Sequence, residues 1–433
     1  MPQENGRLAR VLARLEGLPD LEQGRRRREA FGLEGIEGLL TALGRPQEGL
    51  PVIHIAGSKG KGTTALYLVD LLEGAGHRTG AFLSPHLHSL RERFLLGGRP
   101  AAAGRIANHL EKAAAAAGGA PGCTLFDLYT AAAMGLFRTE ACNAVVLECG
   151  LGGRLDSTNL AEPLVTVVTT VEREHEEVLG RGVARVAAEK GGIIKPGVPL
   201  VTGCRGEALR VVRDIARKTG APCHILGTDY PMRICGRGSE GYTVEWEKKE
   251  TIDTAIKVPA QVRSLALAGA AFTLFCGRPV TAAELSRASR RLLPGRFEYL
   301  PGDPAILVDV AHTPRSLAGL ARAFRTWHPG QRPILLFGTA RDKRWRRPLS
   351  LLSALAAETW LVTLPGDRGV PPGELAEAAV GRVRRLPSID AGLADLCRLR
   401  GRDKLVLVTG SHLLVGPVRV ARFAERKGPH GQR

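Results

Sequence analysis

The sequence of 433 residues predicts an α/β protein of two domains, built mainly on parallel β-sheets. Three observations predict this class: short apolar runs bounded by glycine or polar turns, longer amphipathic stretches between them, and a chain too long for one ordinary domain. The alternation of strand and helix implies doubly wound sheets, in which ligands bind at the carboxyl ends of the strands.

Eight runs are continuously apolar, as buried parallel strands are, because both faces of such strands need apolar cover. These runs are PVIHIAG, NAVVLECG, LVTVVTTV, VPLVTG, AILVDVAH, PILLFGT, TWLVTLPG and KLVLVTGS. Between them, TTALYLVDLLEGAGH and PRSLAGLARAFRTW have apolar residues at helical spacing, and TLFDLYTAAAMGLF is typical of a core helix. We assign no chemistry to Phe126 and Asp127 in that last stretch.

Residues 228–258 have a different pattern, in which apolar and polar residues alternate between glycine-rich turns, and they predict a small antiparallel sheet. After an Ala/Leu-rich helix, LLPGRFEYLPGDP holds two Pro-Gly pairs before a new βα series, which predicts a domain boundary near Pro294–Asp303. We therefore predict a P-loop-containing N-terminal domain over residues 1–295 and a smaller Rossmann-like C-terminal domain over residues 296–433.

Composition narrows the class of protein without naming a partner. The formal net charge of +18 would attract polyanions, which include nucleic acids and nucleoside triphosphates. However, the excess is mostly arginine spread along the chain, aromatic residues are 5%, and the one dense run, Arg25–Arg28, is typical of a solvated surface. Charge therefore does not decide between these partners.

The eight cysteines are scattered singly and form no Cys-x-x-Cys pair, so buried reduced thiols are expected rather than a zinc or redox motif. The N-terminal residues contain no apolar signal core, and no apolar run is long enough to span a bilayer, which predicts a cytoplasmic protein. The last residues, RKGPHGQR, are expected to form a frayed basic tail.

The stretch HIAGSKGKGTT joins a predicted strand to a predicted helix through a glycine-rich loop. In this geometry backbone N–H groups and a helix N-terminus converge on phosphate. Lys61 would supply charge for the outer phosphates, and Thr63 or Thr64 a hydroxyl for Mg²⁺. The glycine spacing differs from the common Gly-x-x-x-x-Gly-Lys-Ser/Thr form. The loop residues expected to bind ATP are Gly57, Ser58, Lys59, Gly60, Lys61, Gly62, Thr63 and Thr64.

The compact form of this loop resembles that of the Mur ligase superfamily, ATP-dependent enzymes that form amide bonds. Two segments, SPHLHSLRERF and LECGLGGRLDSTN, look like diagnostic segments of folylpolyglutamate synthases and dihydrofolate synthases. Further family-like motifs follow in the same order: EHEEVLG, AAEKGGIIKPGVPLVTG, LPGRFEYL, LVDVAHTPRSL, FGTARDKRW and LVTGSHLLVGPVR. The resemblance covers nearly the whole chain.

The resemblance implies a metal site and a modified lysine. Glu148 ends an apolar strand before a glycine turn, where a carboxylate is well placed for Mg²⁺. The full set of metal ligands would be Thr63, Ser84, Glu148 and His175. Lys190 matches a lysine that is carbamylated in the family, whereas from the sequence alone it would be a solvated lysine. The resemblance leaves K⁺ open as a further cation.

The resemblance also implies which residues bind ATP and which bind the pterin substrate. Arg296 would reach the β- or γ-phosphate of ATP across an interdomain cleft, Asp309 would lie near the ribose and His312 near the phosphates. Ser264 would stand where the family has an adenine-facing asparagine. The pterin end of the substrate would be cradled by Ser84, Pro85, His86, Leu87, Asp156 and Ser157.

The implied reaction joins L-glutamate to the carboxylate of dihydropteroate or a reduced folate. ATP would phosphorylate that carboxylate, and the α-amino group of glutamate would then displace phosphate. Lys61, Lys190 and His312 are the expected catalytic residues, acting by positioning and charge neutralisation. The protein would be a monomer and would bind neither membrane nor nucleic acid.

Four positions depart from the family pattern. Glu174 replaces an aspartate before His175, Ser264 replaces the adenine-facing asparagine, and Val310 and Thr313 alter an Asp-Gly-Ala-His-Asn-Pro motif. Ser264 offers one donor and one acceptor site, where an amide could pair with two edges of the base.

Two other functions compete with the glutamate ligase. One is a Mur-type ligase that acts on a different carboxylate. The other is a basic nucleotide- or nucleic-acid-binding protein without ligase activity, which would show steeply salt-dependent binding of nucleic acid. The sequence leaves open whether dihydrofolate synthesis, polyglutamate extension or both take place.

Overall fold

The structure is a computed structural model that describes residues 2–15, 18–19, 32–118, 122–247, 250–399, 401 and 404–426. The predicted Arg25–Arg28 run and residues 427–433 of the predicted tail lie outside these ranges. The chain divides into two compact units. The first comprises Met1–Ile256 and Ala260–Arg291, and the second comprises Lys257–Pro259 and Leu292–Arg433.

The first unit is built around a mostly parallel sheet. Its strands are β1 (Val52–Ala56), β2 (Thr79–Phe82), β3 (Phe94–Leu96), β4 (Arg99–Pro100), β5 (Ala144–Glu148), β6 (Pro163–Val168), β7 (Leu200–Thr202) and β8 (Cys223–Ile225). They lie in the order β4-β3-β2-β5-β1-β6-β7-β8, with antiparallel pairing only where β3 meets β2 and β4 in the described chain. This order places β1 in the interior, with β5 and β6 parallel on either side.

Helices cover both faces of this sheet. Those of the first unit are α1 (Pro2–Leu15), α2 (Glu34–Ala42), α3 (Lys61–Gly74), α4 (Ala103–Ala117), α5 (Leu125–Thr139), α6 (Glu176–Leu179), α7 (Val183–Gly191), α8 (Gly206–Thr219), α9 (Pro259–Cys276) and α10 (Ala282–Ser289). One buried cluster joins α1, α2, α4 and α5 to β1, β2 and β5, and another joins α7 and α8 to β6 and β7. Because every residue of β1 and β5 is buried, both strands are apolar along almost their whole length.

The region predicted to be antiparallel forms a small sheet with the order β11-β10-β9. Its strands are β9 (Met232–Arg237), β10 (Tyr242–Trp246) and β11 (Glu250–Asp253). The inward side chains Val244, Trp246 and Ile252 are buried, and the polar residues between them are more exposed. This alternation is what the sequence pattern predicted.

The second unit has a sheet of its own. Its strands are β12 (Glu298–Leu300), β13 (Ala305–Asp309), β14 (Ile334–Phe337), β15 (Glu358–Val362), β16 (Val383–Leu386) and β17 (Leu405–Thr409). Its helices are α11 (Pro314–Trp327), α12 (Arg346–Ser353), α13 (Pro372–Ala376), α14 (Ile389–Arg398) and α15 (His412–Arg426). The strand order is β12-β13-β17-β14-β15-β16, in which β12 is antiparallel to β13 and the other pairs are parallel.

The predicted α/β class with a small antiparallel sheet and a second sheet domain is confirmed. All eight apolar runs contain strands, and α3 and α11 coincide with the two amphipathic stretches. The pattern missed short strands such as β2, β8 and β16, which are four residues long or less. The expectation of buried thiols was wrong for Cys235 and Cys397, which are exposed, because Cys235 lies on the small outer sheet and Cys397 near the end of α14.

Within the described residues, no helix combines the length and the apolar character needed to cross a membrane.

Candidate active site

The predicted phosphate loop follows β1 and is fastened to the chain that follows β6. The Ser58 N–H donates to the carbonyl oxygen of Thr170 at 2.7 Å, and the Lys59 N–H donates to the Thr170 hydroxyl at 3.1 Å. In return, the Thr169 hydroxyl donates to the Lys59 carbonyl oxygen at 2.8 Å. Because β1 and β6 are parallel neighbours, their carboxyl ends meet and the two loops can exchange these bonds.

Two glycines are required by the close packing of this loop. Gly57 has φ of 149°, and a Cβ there would lie 1.9 Å from the Thr169 hydroxyl oxygen. Gly60 has φ of 88° and precedes α3, and a Cβ there would lie 3.0 Å from the Ser264 hydroxyl oxygen. A side chain would be strained at both positions. Ser264 is buried against the loop and donates its hydroxyl to Ala260 of its own helix at 3.3 Å.

Glu148 places a buried carboxylate beside the first turn of α3. It is the last residue of β5 and is 3% exposed. One carboxylate oxygen accepts the Ser84 N–H at 3.1 Å, and the other lies 3.9 Å from Nζ of Lys61. A Cβ on Gly62 would lie 3.1 Å from this carboxylate, so the group sits directly against the helix start. The positive end of the helix dipole and the lysine both stabilise a negative charge here.

A second carboxylate, Glu174, lies between two lysines of the same unit. Its oxygens are 3.1 Å from Nζ of Lys190 and 3.5 Å from Nζ of Lys59. The Lys190 ammonium also donates to the carbonyl oxygen of Gly57 at 3.2 Å, which ties α7 to the phosphate loop. We call Lys59, Lys61, Glu148, Glu174 and Lys190 the lysine–carboxylate cluster.

Burial and charge oppose each other in this cluster. Burial by itself would raise the pKa of Glu174, but the charges of Lys190 and Lys59 outweigh it and hold that pKa at about 2. Burial lowers the pKa of Lys190 from its ordinary value, and the Glu174 charge only partly restores it. Glu174 is therefore an anion at neutral pH, and the Lys190 ammonium depends on it.

The sequence by itself predicted a solvated Lys190, and the structure corrects this. Its side chain is 2% exposed because it lies in the last turn of α7, on the face that packs inward against the phosphate loop. The ordinary preference of lysine for solvent is overridden here by the ion pair and by the carbonyl of Gly57.

His175 begins α6 directly after Glu174. It has φ of 50°, in the left-handed region, and its Nδ1 lies 3.8 Å from a carboxylate oxygen of Glu177. Its side chain is 30% exposed, so the ring remains accessible to solvent.

The residues at the start of α3 fit a magnesium ion. Within the described ranges, no three His, Cys, Asp or Glu side chains lie close enough together to form a metal cage. Glu148 instead offers a single buried carboxylate near the first turn, where the Thr64 hydroxyl is buried and has no hydrogen-bond partner in the described chain. Mg²⁺ usually binds one or two carboxylates and completes its shell with water and phosphate oxygens. This donor set suits Mg²⁺ that arrives with a nucleotide.

The predicted substrate segment after β2 is folded against the turn at residues 90–93. The ring nitrogen Nδ1 of His86 accepts from Nε of Arg93 at 2.8 Å, and the Leu87 N–H donates to Glu92 at 2.7 Å. Ser84, His86 and Leu87 are half-buried, and Pro85 is exposed. The segment is therefore held by Arg93 and Glu92, and part of its surface is exposed to solvent.

Asp156 and Ser157, also predicted to contact substrate, are occupied by bonds within the protein. Asp156 is 5% exposed and accepts the Leu151 N–H at 2.9 Å and the Thr158 hydroxyl at 2.5 Å. Burial raises its pKa above the ordinary value, and these hydrogen bonds oppose the rise. The Ser157 hydroxyl donates to a carboxylate oxygen of Asp127. In this structure both side chains order the loop after β5.

Phe126 and Asp127, to which the sequence assigned no chemistry, lie in α5 and contact this loop. Asp127 accepts from Ser157 with one oxygen and forms a capping box with Thr124 at the start of α5 with the other. The ring of Phe126 packs so closely on the chain that a Cβ at Gly150 would lie 2.7 Å from it. The Thr-x-x-Asp spacing predicts the cap. No local signal predicts that the same carboxylate also holds the loop after β5.

The site residues of the second unit lie on loops fixed by backbone bonds. The Asp309 carboxylate accepts the N–H groups of Ala311 at 2.8 Å and Phe297 at 2.9 Å. Burial raises the pKa of Asp309, and the charge of Arg296 opposes this. His312 donates from Nδ1 to the Val310 carbonyl oxygen at 2.9 Å, which orients its ring.

One of the departures from the family pattern has a local explanation in this unit. Thr313 caps α11, because its hydroxyl accepts the Ser316 N–H in a capping box and Pro314 follows as the first helical residue. The Val310 side chain is buried, with the residue 4% exposed, and its N–H donates to the Gly295 carbonyl oxygen at 2.9 Å.

Comparisons with known proteins found relatives in both sequence and structure. A family model described as Mur ligase, glutamate ligase domain, matches residues 295–412. The dihydrofolate synthase/folylpolyglutamate synthase of Bacillus subtilis is 28% identical over 412 residues, which are 90% of this chain and 94% of that protein.

Solved structures show the same similarity over nearly the full length. Escherichia coli FolC in complex with DHPP and ADP matches with a TM-score of 0.83 and 28% identity, covering 97% of this chain and 98% of FolC. A bifunctional folylpolyglutamate synthase/dihydrofolate synthase with Mn, AMPPNP and L-glutamate bound matches with a TM-score of 0.80 and 26% identity, covering 96% of this chain and 97% of that one.

The phosphate loop, the buried carboxylate beside it and the glutamate ligase domain define an ATP-dependent amide ligase of the Mur type. Within that class, the chain belongs to the folylpolyglutamate synthase/dihydrofolate synthase family.

Proposed function

We propose that this protein uses ATP to join L-glutamate to the carboxylate of dihydropteroate, of a reduced folate, or of both. The observation that carries the proposal is the lysine–carboxylate cluster around the phosphate loop, where Lys61 and Glu148 lie 3.9 Å apart at the start of α3. Relatives of the same family bind ADP with DHPP, and AMPPNP with Mn and L-glutamate.

The reaction has two steps. An oxygen of the substrate carboxylate attacks the γ-phosphorus of ATP, and the bond from that phosphorus to the β,γ-bridging oxygen breaks. ADP is released, and the substrate becomes an acyl phosphate. The neutral α-amino group of glutamate then attacks the acyl carbon, loses a proton and expels inorganic phosphate, which completes the amide. Both steps bring anions together, so positive charge and exclusion of water supply most of the catalysis.

Residues of the first unit would hold the nucleotide. The N–H groups of Ser58 and Lys59 already donate to Thr170, so the first N–H groups of α3 would bind phosphate, and Lys61 would place its ammonium beside the outer phosphates. Mg²⁺, when bound, would neutralise phosphate charge and would be held by Glu148 with Thr63, Ser84 and His175. Ser264 would lie near the adenine.

Residues of the second unit would act on the phosphates and the ribose. Arg296 is exposed, with its guanidinium near the Gly295 carbonyl oxygen, and the half-buried ring of His312 is oriented by Val310 and packs against His412. Asp309 would serve the ribose indirectly, because one of its oxygens already accepts the Phe297 N–H beside Arg296 and the other accepts the Ala311 N–H beside His312.

Lys190 carries the finer part of the proposal, a carbamate formed with CO₂. Its lowered pKa favours the neutral amine that reacts with CO₂, whereas the ion pair with Glu174 favours the ammonium. Lys190→Ala should lose activity by about 10²-fold or more, and short carboxylic acids such as propionate should restore part of it if the lysine works as a carbamate. Absence of rescue, in a variant that still binds ATP, would assign the role to the ammonium paired with Glu174.

The sequence also predicts that K⁺ is a further cation and that the protein is monomeric and cytoplasmic, and these stay predictions.

The proposed function is tested by phosphate release with ATP, Mg²⁺ and L-glutamate, with dihydropteroate and a reduced folate offered separately. Turnover with dihydropteroate, with a product mass increased by one glutamyl residue, makes it a dihydrofolate synthase, and turnover with the folate makes it a polyglutamate synthase. If folded protein that binds ATP releases no phosphate with either substrate, the proposal is contradicted, and a ligase for another carboxylate is indicated.

A further inference from the structure

Arg296 lies on a tight turn whose backbone is held on every side. Its own N–H donates to the Leu293 carbonyl oxygen at 3.0 Å, and the carbonyl oxygen of Gly295 accepts the Val310 N–H at 2.9 Å. On the other side, Phe297 has φ of 52° and donates its N–H to the Asp309 carboxylate. Arg296 is exposed, and its guanidinium donates to the Gly295 carbonyl oxygen of this turn at 3.4 Å, so the position of the turn decides where the side chain lies.

A buried ion pair between Glu298 and Arg419 also holds this turn. A single carboxylate oxygen of Glu298 accepts the Gly295 N–H and Nε of Arg419, each at 2.7 Å. The side chains of Glu298 and Arg419 are 2% and 8% exposed. Glu298 is the first residue of β12 and Arg419 lies in α15, so the contact joins segments 121 residues apart in sequence.

The same face of α15 also holds the far end of this hairpin. Arg422, three residues after Arg419, donates to the carbonyl oxygen of Pro304, which lies in the turn between β12 and β13. Residues three apart share a helix face, so both arginines bind the β12–β13 hairpin from the same face of α15. The turn of Arg296 is thus fixed to a helix and not only to its neighbouring loop.

A buried ion pair is a poor choice if stability were its only purpose. Removing two charges from water costs about as much as their attraction returns, and apolar side chains of similar volume often serve as well. The Glu298 carboxylate has a task that an apolar group could not perform, because it also accepts the N–H of the residue next to Arg296.

We propose that Glu298 and Arg419 are positioning residues that set the direction of the Arg296 guanidinium toward the phosphates of ATP. The proposal rests on the proposed function, in which Arg296 contacts those phosphates. Glu298 and Arg419 are both buried, and in this proposal both act through Arg296.

The test measures nucleotide affinity, which needs no acceptor substrate. Dissociation constants of AMPPNP with Mg²⁺ and of AMP are measured by calorimetry for the wild type, Glu298→Gln, Arg296→Ala and the double variant. Glutamine keeps an oxygen for the Gly295 N–H but has no charge to hold Arg419. We expect Glu298→Gln to weaken AMPPNP binding about 5- to 10-fold and to leave AMP, which lacks the outer phosphates, within about 2-fold.

The double variant separates positioning from general damage. In the Arg296→Ala background, Glu298→Gln should weaken AMPPNP binding less than about 2-fold, because its effect passes through the missing guanidinium. An equal loss in both backgrounds, a parallel loss for AMP, or an Arg296→Ala variant that binds AMPPNP as tightly as the wild type would each overturn the proposal.

Two further variants keep the result decisive if Glu298→Gln folds poorly. Arg419→Lys retains the charge of the pair and should keep AMPPNP binding within about 3-fold. Asp395→Asn breaks a matched ion pair of the same unit, with Arg384 at 2.8 Å, and should change neither nucleotide. Loss of AMPPNP affinity in Asp395→Asn would show that any broken ion pair in this unit has the effect, which would overturn the proposal.

The outcomes also separate this inference from the proposed function. Coupled loss of AMPPNP affinity in a protein that turns over neither pterin substrate would uphold the positioning role and reject the glutamate ligase. Turnover of a pterin substrate, together with equal losses of AMPPNP affinity in both backgrounds, would support the glutamate ligase and reject the positioning role.

Discussion

The two units hold their predicted site residues in different ways. In the first unit the side chains depend on one another, since Glu174 serves two lysines and Glu148 lies beside a third. In the second unit they depend on the backbone, since Asp309 binds N–H groups and His312 a carbonyl oxygen. A change in the first unit therefore leaves a charge without its partner, whereas a change in the second moves a loop.

The largest effect is expected where the first unit would meet ATP. Lys61→Ala and Glu148→Gln should each reduce ATP-, Mg²⁺- and glutamate-dependent ADP release by about 10³-fold or more, because each removes charge stabilisation at the phosphates. ADP release is measured by a coupled assay, with circular dichroism as the check on folding. The matched control is Lys218→Ala, which removes an exposed lysine from the last turn of α8 and should keep full activity. Retained activity in both site variants would reject the assignment of the site.

A smaller effect, on stability, is expected from Glu174. Its pKa of about 2 lies below the ordinary 4.5, so it stabilises the fold fully above about pH 4.5 and loses that contribution as the pH falls toward 2. Glu174→Gln should lower the free energy of unfolding by about 3 kcal/mol at pH 7, because two lysines lose their counter-charge.

The measurement is denaturant unfolding of wild type and variant between pH 7 and pH 2.5. The gap between them should close as the pH falls below about 4.5. Glu177→Gln, which removes a 65% exposed carboxylate three residues along, should cost less than about 0.5 kcal/mol. A constant gap across the pH range would mean that the Glu174 carboxylate does not carry the effect.

The smallest effect is expected in the backbone-held loop of the second unit. Thr313→Ala removes the cap of α11 and should cost about 1 kcal/mol, whereas Thr313→Asn, an equally good cap, should stay within a few tenths. Thermal unfolding measures both. Equal losses in the two variants would show that the threonine methyl group, and not the cap, supplies this stability.

Local pattern was sufficient for much of the fold. The strands around β1 and β13 are buried on both faces, so each reads as a continuous apolar run, and α3 and α11 carry a helical spacing that does not depend on their neighbours. Short strands such as β8 lack this signal, because three half-buried residues carry too little pattern to recognise.

The sequence by itself also predicted a strand, a glycine-rich loop and a helix at this point of the chain, and the structure has β1, a loop with positive φ at Gly57 and Gly60, and α3. Only the tertiary structure decided which charges pair. Lys190 is buried against Gly57, 133 residues away, and Arg419 against Glu298, 121 residues away. Such pairs follow from which strand and helix ends meet in space, and the electrostatic free energy of a buried charge depends on that neighbour rather than on adjacent residues.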